Sequence, residues 1–460
     1  MSKTDFSSLN LHPSLLHNLI SLGYKAMTPI QAKSLPHILE GKDVIGQGKT
    51  GSGKTAAFGL GLLHQLDVTS FKVQSLVLCP TRELADQVAK ELRKLARTIP
   101  NIKVLTLCGG VPFGPQVGSL EHGAHIIVGT PGRVEEHLRK QTLKLDSLRT
   151  LVLDEADRML DMGFEASLDA IIERVPAQRQ TLLFSATYPH QIQAIARRIM
   201  VKPAMAQADE KHDSDSIEQI FYKFDGTQSR LTALRLVLLK YRPESTVVFC
   251  NTKLETVDIA NELSKCGFGA IALNGDMEQK DRDQTMIRFA NKSASILIAT
   301  DVAARGLDIE ALDAVVNYHV PRDSEVHVHR IGRTGRAGSK GMAFTLCGEK
   351  EGHKVEMLEN YLEQRFELAP LPPLSLLEDA AYKPLMATLR IDAGKKQKIR
   401  PGDILGALTG ENGIAGKQVG KIHIADNWAY VAVSLDVTQI AVNKLNEGKL
   451  KGRSFRVRLI

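Results

Sequence analysis

The 460-residue chain is poor in aromatic side chains, at 5%, and has a single tryptophan, Trp428. It lacks any apolar run of the roughly 20 residues a membrane-spanning helix needs. Met1-Ser2-Lys3-Thr4-Asp5 leads into no apolar segment, so a secretory signal is not expected. Five cysteines (Cys79, Cys108, Cys250, Cys266 and Cys347) are scattered, with no Cys-x-x-Cys pair. That spacing argues against a zinc site or a disulfide frame and for reduced core thiols in a cytoplasmic protein. Most of the chain also lacks a charge bias: residues 1–385 carry 46 basic and 46 acidic side chains. The whole excess of +7 lies in residues 386–460, with 13 Lys and Arg against 6 Asp and Glu. Such a footprint implies a polyanion-binding module attached to a neutral body.

What is present is organised around Gly48-Lys49-Thr50-Gly51-Ser52-Gly53-Lys54-Thr55. The apolar Asp43-Val44-Ile45 precedes it and a helix-like run from Ala56 follows. Strand, glycine-rich loop and helix N-terminus are the parts of a phosphate-binding P-loop. Gly51, Ser52 and Gly53 offer backbone N–H groups, Lys54 reaches the outer phosphates, and the Thr55 hydroxyl is a Mg²⁺ ligand candidate. Around the loop, short apolar strands alternate with helices: Ser75–Cys79, Ile126–Val128, Thr150–Leu153 and Thr181–Phe184. This rhythm predicts an α/β domain with a mostly parallel sheet. Each strand runs into a polar cluster, and ligands of open α/β sheets sit beyond the strands' carboxyl ends.

One cluster, Asp154-Glu155-Ala156-Asp157, places two carboxylates directly after the strand Leu151-Val152-Leu153. Asp154 is suited to hold Mg²⁺ and Glu155 to polarise an attacking water. Positive charge for the transition state is offered by His329-Arg330-Ile331-Gly332-Arg333-Thr334-Gly335-Arg336, whose two glycines are at odds with a plain basic helix face. A base-reading element is available in Gly23–Gln31: the Gln31 amide matches the edge of adenine, with Tyr24 or Phe6 against the ring.

The expected organisation is one α/β domain over 1–208, a polar linker at 209–216, and a second α/β domain over 217–365 without a P-loop of its own. Its strands are placed at Thr246–Phe249, Ser295–Ala299 and Ala314–Asn317. A proline-bearing linker at 366–385 then leads to a small α+β domain over 386–460. The order there is β-α-β-β-α-β, the plan of an RRM-like module. Trp428 and Tyr430 are its stacking candidates, and Lys395–Arg400 and Lys449–Arg458 its basic segments.

Taken in order, these motifs resemble the DEAD-box RNA helicases over residues 6–346. The resemblance implies two RecA-like domains that close on ATP and single-stranded RNA. It implies that Lys54, Glu155, Arg333 and Arg336 are catalytic, the last two as arginine fingers. The nucleotide would meet Phe6, Tyr24, Gln31, Gly51, Ser52, Gly53, Lys54, Thr55, Asp154, Gly306 and Asp308, with Mg²⁺ on Thr55 and Asp154. RNA would meet Pro80, Thr81, Arg82, Gly109, Gly110, Thr130, Pro131, Gly132 and Arg133 in the first domain. In the second it would meet Thr252, Thr300 and Arg305. Asp157, Ser185, Thr187, His329 and Arg330 would couple hydrolysis to domain closure. Asn274 and His327 stand where the family often has His and Tyr. The tail resembles the C-terminal domain of a bacterial branch that recognises a hairpin of large-subunit ribosomal RNA in ribosome assembly. That implies the same partner here, contacted through Lys395, Lys396, Lys398 and Arg400. An ATP-gated RNA clamp without productive unwinding is the alternative reading, and a DNA helicase a third.

Overall fold

A computed structural model describes residues 4–48, 51–207, 217–225, 227–304, 312–335 and 340–460. The first sheet has seven parallel strands: β1 (Val44–Gln47), β2 (Ser75–Leu78), β3 (Val104–Leu107), β4 (Ile126–Gly129), β5 (Thr150–Asp154), β6 (Gln180–Ser185) and β7 (Ala204–Gln207). Their spatial order is β3-β4-β2-β5-β6-β1-β7. The central strands are apolar at most positions because helices cover both faces of a parallel sheet; β2 and β5 are buried throughout. The intervening helices carry one apolar stripe each. In Arg82–Leu95, Leu84, Ala85, Val88, Ala89, Leu92 and Leu95 are buried while the opposite face stays charged.

The second sheet holds β8 (Ile217–Phe224), β9 (Thr246–Cys250), β10 (Ala270–Leu273), β11 (Ile296–Thr300), β12 (Ala314–Asn317), β13 (Gly341–Gly348) and β14 (Leu368–Pro370). Its order, β10-β11-β9-β12-β13-β8-β14, repeats that of the first sheet strand for strand. Strand β8 is therefore the counterpart of β1. It runs not into a P-loop but into a turn where Asp225 accepts the Thr227 N–H.

The segment expected as a linker at 366–385 packs onto the second domain. Leu368–Pro370 pairs with β8, and Leu371, Leu376, Leu377 and Tyr382 lie against that domain's core. Tyr382 meets Phe268 edge-on at 5.7 Å. Its leucines and tyrosine outweigh its prolines: enough apolar surface is present to dock the segment. The expected linker at 209–216 lies outside the described residues.

The C-terminal domain is a four-stranded antiparallel sheet, β16-β17-β15-β18, built from β15 (Met386–Ile391), β16 (Val419–Ile424), β17 (Ala429–Ser434) and β18 (Val457–Leu459). Helices Pro401–Thr409 and Thr438–Glu447 cover one face. Alternation along β15 sends Ala387, Leu389 and Ile391 to those helices and Met386, Thr388 and Arg390 to the other face.

Candidate ATP and RNA sites

The P-loop emerges at the end of β1, where the sequence places it. Gly51 and Gly53 have φ of +86° and +93°, a left-handed backbone that a side chain would strain. A Cβ on Gly53 would also stand 2.5 Å from the Gln31 amide nitrogen. Lys54 is buried in the first turn of helix Lys54–His64, and its Nζ donates to the Gly48 carbonyl at 2.7 Å. The lysine therefore lies back along its own loop. Thr55 follows it, half-buried. The Gln31 amide spans two elements: its Oε1 accepts the Thr28 N–H and its Nε2 donates to the Gly53 carbonyl. Phe6 is buried and meets Tyr24 edge-on at 6.1 Å. The Tyr24 hydroxyl donates to Glu91 at 2.6 Å; burial, and then that bond, raise its pKa.

At the end of β5, Asp154 is 2% exposed and its Oδ1 has no hydrogen-bond partner. Burial pushes its carboxyl up to about 7; the Lys54 charge opposes the shift and Glu155 reinforces it. An orphaned buried carboxylate oxygen within the field of the P-loop lysine is a fit place for a hard cation that takes only one or two carboxylates. Glu155 adopts φ +52°, ψ +52°. A left-handed non-glycine residue costs about 1 kcal/mol or more, and such strain collects at functional sites. Asp157 is tied to the end of β6: Thr187 donates to its Oδ2 through N–H and hydroxyl, each at 3.0 Å. Its own N–H donates to Ser185 Oγ. Burial would raise the Asp157 carboxyl, but the Thr187 N–H, Lys54 and Arg158 outweigh it and hold the pKa low.

The expected RNA contacts fall at matching places in the two sheets. Thr81, after β2 and next to the buried Pro80, caps the helix beginning at Arg82 by accepting the Leu84 N–H. Thr252, after the matching β9, caps Lys253–Lys265 with Glu255 returning the bond. Thr130 and Pro131 follow β4, with Gly132 exposed beyond them, and Thr300 ends its counterpart β11. Gly109 and Gly110 follow β3, Gly110 at φ +74°, while Asn274 follows the matching β10. There Asn274 donates to Thr256 and accepts the Asp276 N–H, ordering its own turn.

In helix Ser324–Ile331, Arg330 is turned inward. Its Nε and Nη2 donate to the two oxygens of Asp301, both at 2.7 Å, and its Nη1 to Asn317 at 3.0 Å. With 3% exposure, the guanidinium braces its own domain, an arrangement not foreseen for a residue expected to bridge two. His327 is also buried: Nε2 lies 3.0 Å from Gln219 Oε1 and Nδ1 3.3 Å from the Asn317 amide. Burial, then Arg330, push its pKa down to about 3. His329 and Arg333 are half-buried. Arg305, Gly306, Asp308 and Arg336, with Lys49 and Thr50 of the P-loop, lie outside the described residues.

The centre of the open face of the C-terminal sheet is covered, while His423 and Arg458 toward its edges stay exposed. Thr388 is fully buried between the Asn291 amide (3.2 Å) and the Ser293 hydroxyl (2.7 Å) of the second α/β domain. The Met386 N–H donates to the Lys292 carbonyl. Pairing across the strands puts His423, Tyr430, Arg390 and Arg458 in one row of this face. Tyr430, expected to offer a stacking surface, is 1% exposed. Burial raises its phenol pKa, and the Asp283 charge from the second domain adds to that. Trp428 is half-buried under the Arg390 guanidinium at 4.8 Å. By contrast Lys395, Lys396, Lys398 and Arg400 are all exposed. The structure joins them to the second basic segment: Lys451 Nζ donates to the Lys398 carbonyl (2.6 Å) and pairs with Asp403 (3.3 Å).

Comparison with known proteins bears on both halves of this picture. Residues 28–195 match the DEAD/DEAH box helicase family, 227–338 the helicase conserved C-terminal domain, and 388–459 the DbpA RNA binding domain. The chain is 53% identical over 458 residues to the ATP-dependent RNA helicase DbpA of Escherichia coli, covering 99% of this chain and all of that one. The chain belongs to the DEAD-box RNA helicases. Another relative, the helicase CshA of Bacillus cereus, is 42% identical over 81% of this chain and 70% of its own length. Among solved structures, Saccharomyces cerevisiae Dbp5 bound to RNA and ADP BeF3 superposes with a TM-score of 0.71. It shares 27% identity, over 82% of this chain and 100% of that one.

This helicase is thus an ATP-dependent RNA helicase of DbpA type with its own RNA-binding domain. Among the described residues no helix is long and apolar enough to cross a membrane. Sequence reasoning missed Asp301 and Asn317, which fix Arg330. The available signal was an acidic residue at a strand end, directly after Thr300, in the domain that also carries the arginine run.

Proposed function

We propose that the helicase hydrolyses ATP with Mg²⁺ to open short RNA duplexes locally. Its C-terminal domain directs this work to a hairpin of large-subunit ribosomal RNA during assembly of that subunit in the cytoplasm. The functional units are 1–208, 217–365 and 386–460. Gly51–Thr55 and Lys54 hold the phosphates, and Gln31, with Phe6 and Tyr24, the base. Gly306 and Asp308 belong to the ribose side. Thr55 and Asp154 hold Mg²⁺, and the unpartnered Asp154 Oδ1 supports that role. The ion, when bound, neutralises charge on the outer phosphates. Glu155 orients and polarises the attacking water; Arg333 and Arg336 meet the charge that develops on the transferred group. Asp157, clamped by Ser185 and Thr187, carries the change at the phosphates to the β6 strand end, with His329 on the other domain's side. Thr81, Thr130, Thr252 and Thr300, with their neighbours, grip the RNA backbone, which carries no sequence information by itself.

The observation that carries the ribosomal address is the basic edge made by Lys395–Arg400 and Lys451, on a domain that holds the chain's whole charge excess. Its test is RNA-stimulated ATPase with two RNAs of equal length, one bearing large-subunit rRNA hairpins and one an unrelated hairpin. The expected result is half-saturation at a lower concentration of the ribosomal RNA. The preference is lost when Lys395, Lys396, Lys398 and Arg400 are all changed to Ala. Charge removal is a cleaner perturbation than deletion, because deletion would bare Asn291 and Ser293. Equal stimulation of the unsubstituted protein by both RNAs would refute the address.

A further inference from the structure

The Gly109-Gly110 turn has no side chain of its own to hold it, and a Cβ on Gly109 would meet nothing within 4 Å. Two outside groups fasten its backbone. Gln116, in helix Phe113–Glu121, donates its amide N–H to the Cys108 carbonyl at 3.0 Å, just before the turn. Arg133 donates to the Val111 carbonyl, also at 3.0 Å, just after it. The other end of the Gln116 amide lies 3.0 Å from His137 Nε2, on helix Pro131–Arg139, the helix that Thr130 begins. His137 is fully buried, with Nδ1 2.8 Å from the Thr142 hydroxyl and its ring flat against Phe113 at 4.2 Å.

The donor directions follow from the first bond. The Gln116 nitrogen donates to Cys108, so its oxygen accepts, and His137 carries its proton on Nε2. Nδ1 then faces the Thr142 hydroxyl at 2.8 Å, which also lies 3.2 Å from the His137 carbonyl and shares its proton between the two. From His137 the relay runs to Gln116 and on to the Cys108 carbonyl, one donor into one acceptor at each of these two steps. Burial, then the Arg133 charge, hold the His137 pKa down at about 4, so the neutral ring persists at working pH.

We propose that His137 and Gln116 are positioning residues for RNA: they lock the Gly109–Gly110 turn to the start of helix Pro131–Arg139, so that both loops meet the RNA backbone as one preset surface. This rests on the reading above that these two loops contact RNA. Arg133, expected as an RNA contact, is part of the same brace, with its guanidinium on Val111 and on Glu136 at 3.1 Å.

The test is ATPase stimulation of the full chain by unstructured poly(U), beside binding of a fluorescent ATP analogue without RNA. Gln116→Leu and His137→Leu remove the relay; His137→Gln keeps a donor where Nε2 stood, whereas His137→Asn places its amide nearer Nδ1. The Leu and Asn variants are expected to need about tenfold more RNA for half-saturation, the scale of one net hydrogen bond. His137→Gln should stay within about twofold of the parent, and nucleotide affinity should be the same in all. A folded Leu variant with the parent's RNA requirement overturns the proposal. So does loss of nucleotide affinity in step with RNA, or an Asn variant that outperforms Gln. If a Leu variant fails to fold, the Gln–Asn comparison decides alone. A parent protein that RNA does not stimulate at all would instead refute the underlying reading of the loops.

Discussion

Acidification should weaken the second domain through His327, and the size of the effect follows from the structure. The ring is 1% exposed, and its pKa is pushed down to about 3 by burial and Arg330. In the unfolded chain the imidazole titrates near its ordinary value of about 6.5. Between these limits the unfolded state binds a proton that the folded state refuses, so stability falls as pH falls. The slope is about 1.4 kcal/mol per pH unit, which gives roughly 1.4 kcal/mol at pH 5.5 and 2 kcal/mol at pH 5.0. The comparison protein is His327→Gln, whose amide still donates to Gln219 but does not titrate. Trp428, the sole tryptophan, belongs to the same compact unit as His327, and its fluorescence reports that unit in urea titrations at about pH 7.5 and 5.5. All other titrating groups are shared, so the difference between the two proteins' pH losses isolates His327. An identical loss in both would show that the buried ring is not held neutral, and the reasoning fails.

Arg330→Met should cost about 1–3 kcal/mol, because it leaves the buried Asn317 oxygen without its donor and half-exposed Asp301 without its partner, and Arg330→Lys should not restore it, since one ammonium cannot make the paired bonds; thermal unfolding of the second domain checks both. Glu155→Gln should bind ATP with the parent's affinity yet lose about 10²–10⁴-fold in RNA-stimulated turnover, and strong turnover in that protein would remove Glu155 from its role. Thr388→Val leaves the buried Asn291 amide without its partner, for about 1–3 kcal/mol, and should open Trp428 to a soluble quencher before the domain itself unfolds.

The parallel core was legible because its strands are short apolar runs buried on both faces: β2, β4, β5, β6, β9, β11 and β12 all lie within a residue or so of where periodicity puts them. The strands that escaped notice are mostly peripheral. In β7 only Ala206 is buried, and β10 is half-exposed over most of its length. Such strands gain their place from a neighbour, which local patterning does not record. In β8, Ile217–Phe224, the alternating polar residues are tolerated because β13 and β14 satisfy its backbone on both sides. The candidate site divides the same way. Asp154, Glu155 and the P-loop are contiguous motifs at strand ends. The burial of Tyr430 depends on which face of one domain meets another, and the Asp301–Arg330 and Gln116–His137 links join residues 29 and 21 positions apart. A tyrosine on a sheet reads as a stacking surface until the partner that covers it is known.

The strand-for-strand repeat between the two sheets has a consequence for how such a chain changes over time. Thr81 and Thr252, Thr130 and Thr300, Asp154 and Asn317 stand at corresponding strand ends. The framework under each pair is the same, so the identity of the end residue is free to diverge without cost to the core. One copy keeps a carboxylate where the other has an amide that orders an arginine. One keeps a phosphate loop where the other has a simple turn. An ancestral duplication would leave this record: two equivalent scaffolds whose strand ends have diverged. Exchanging loops between matching strand ends is therefore a route by which new members of such a lineage could be built.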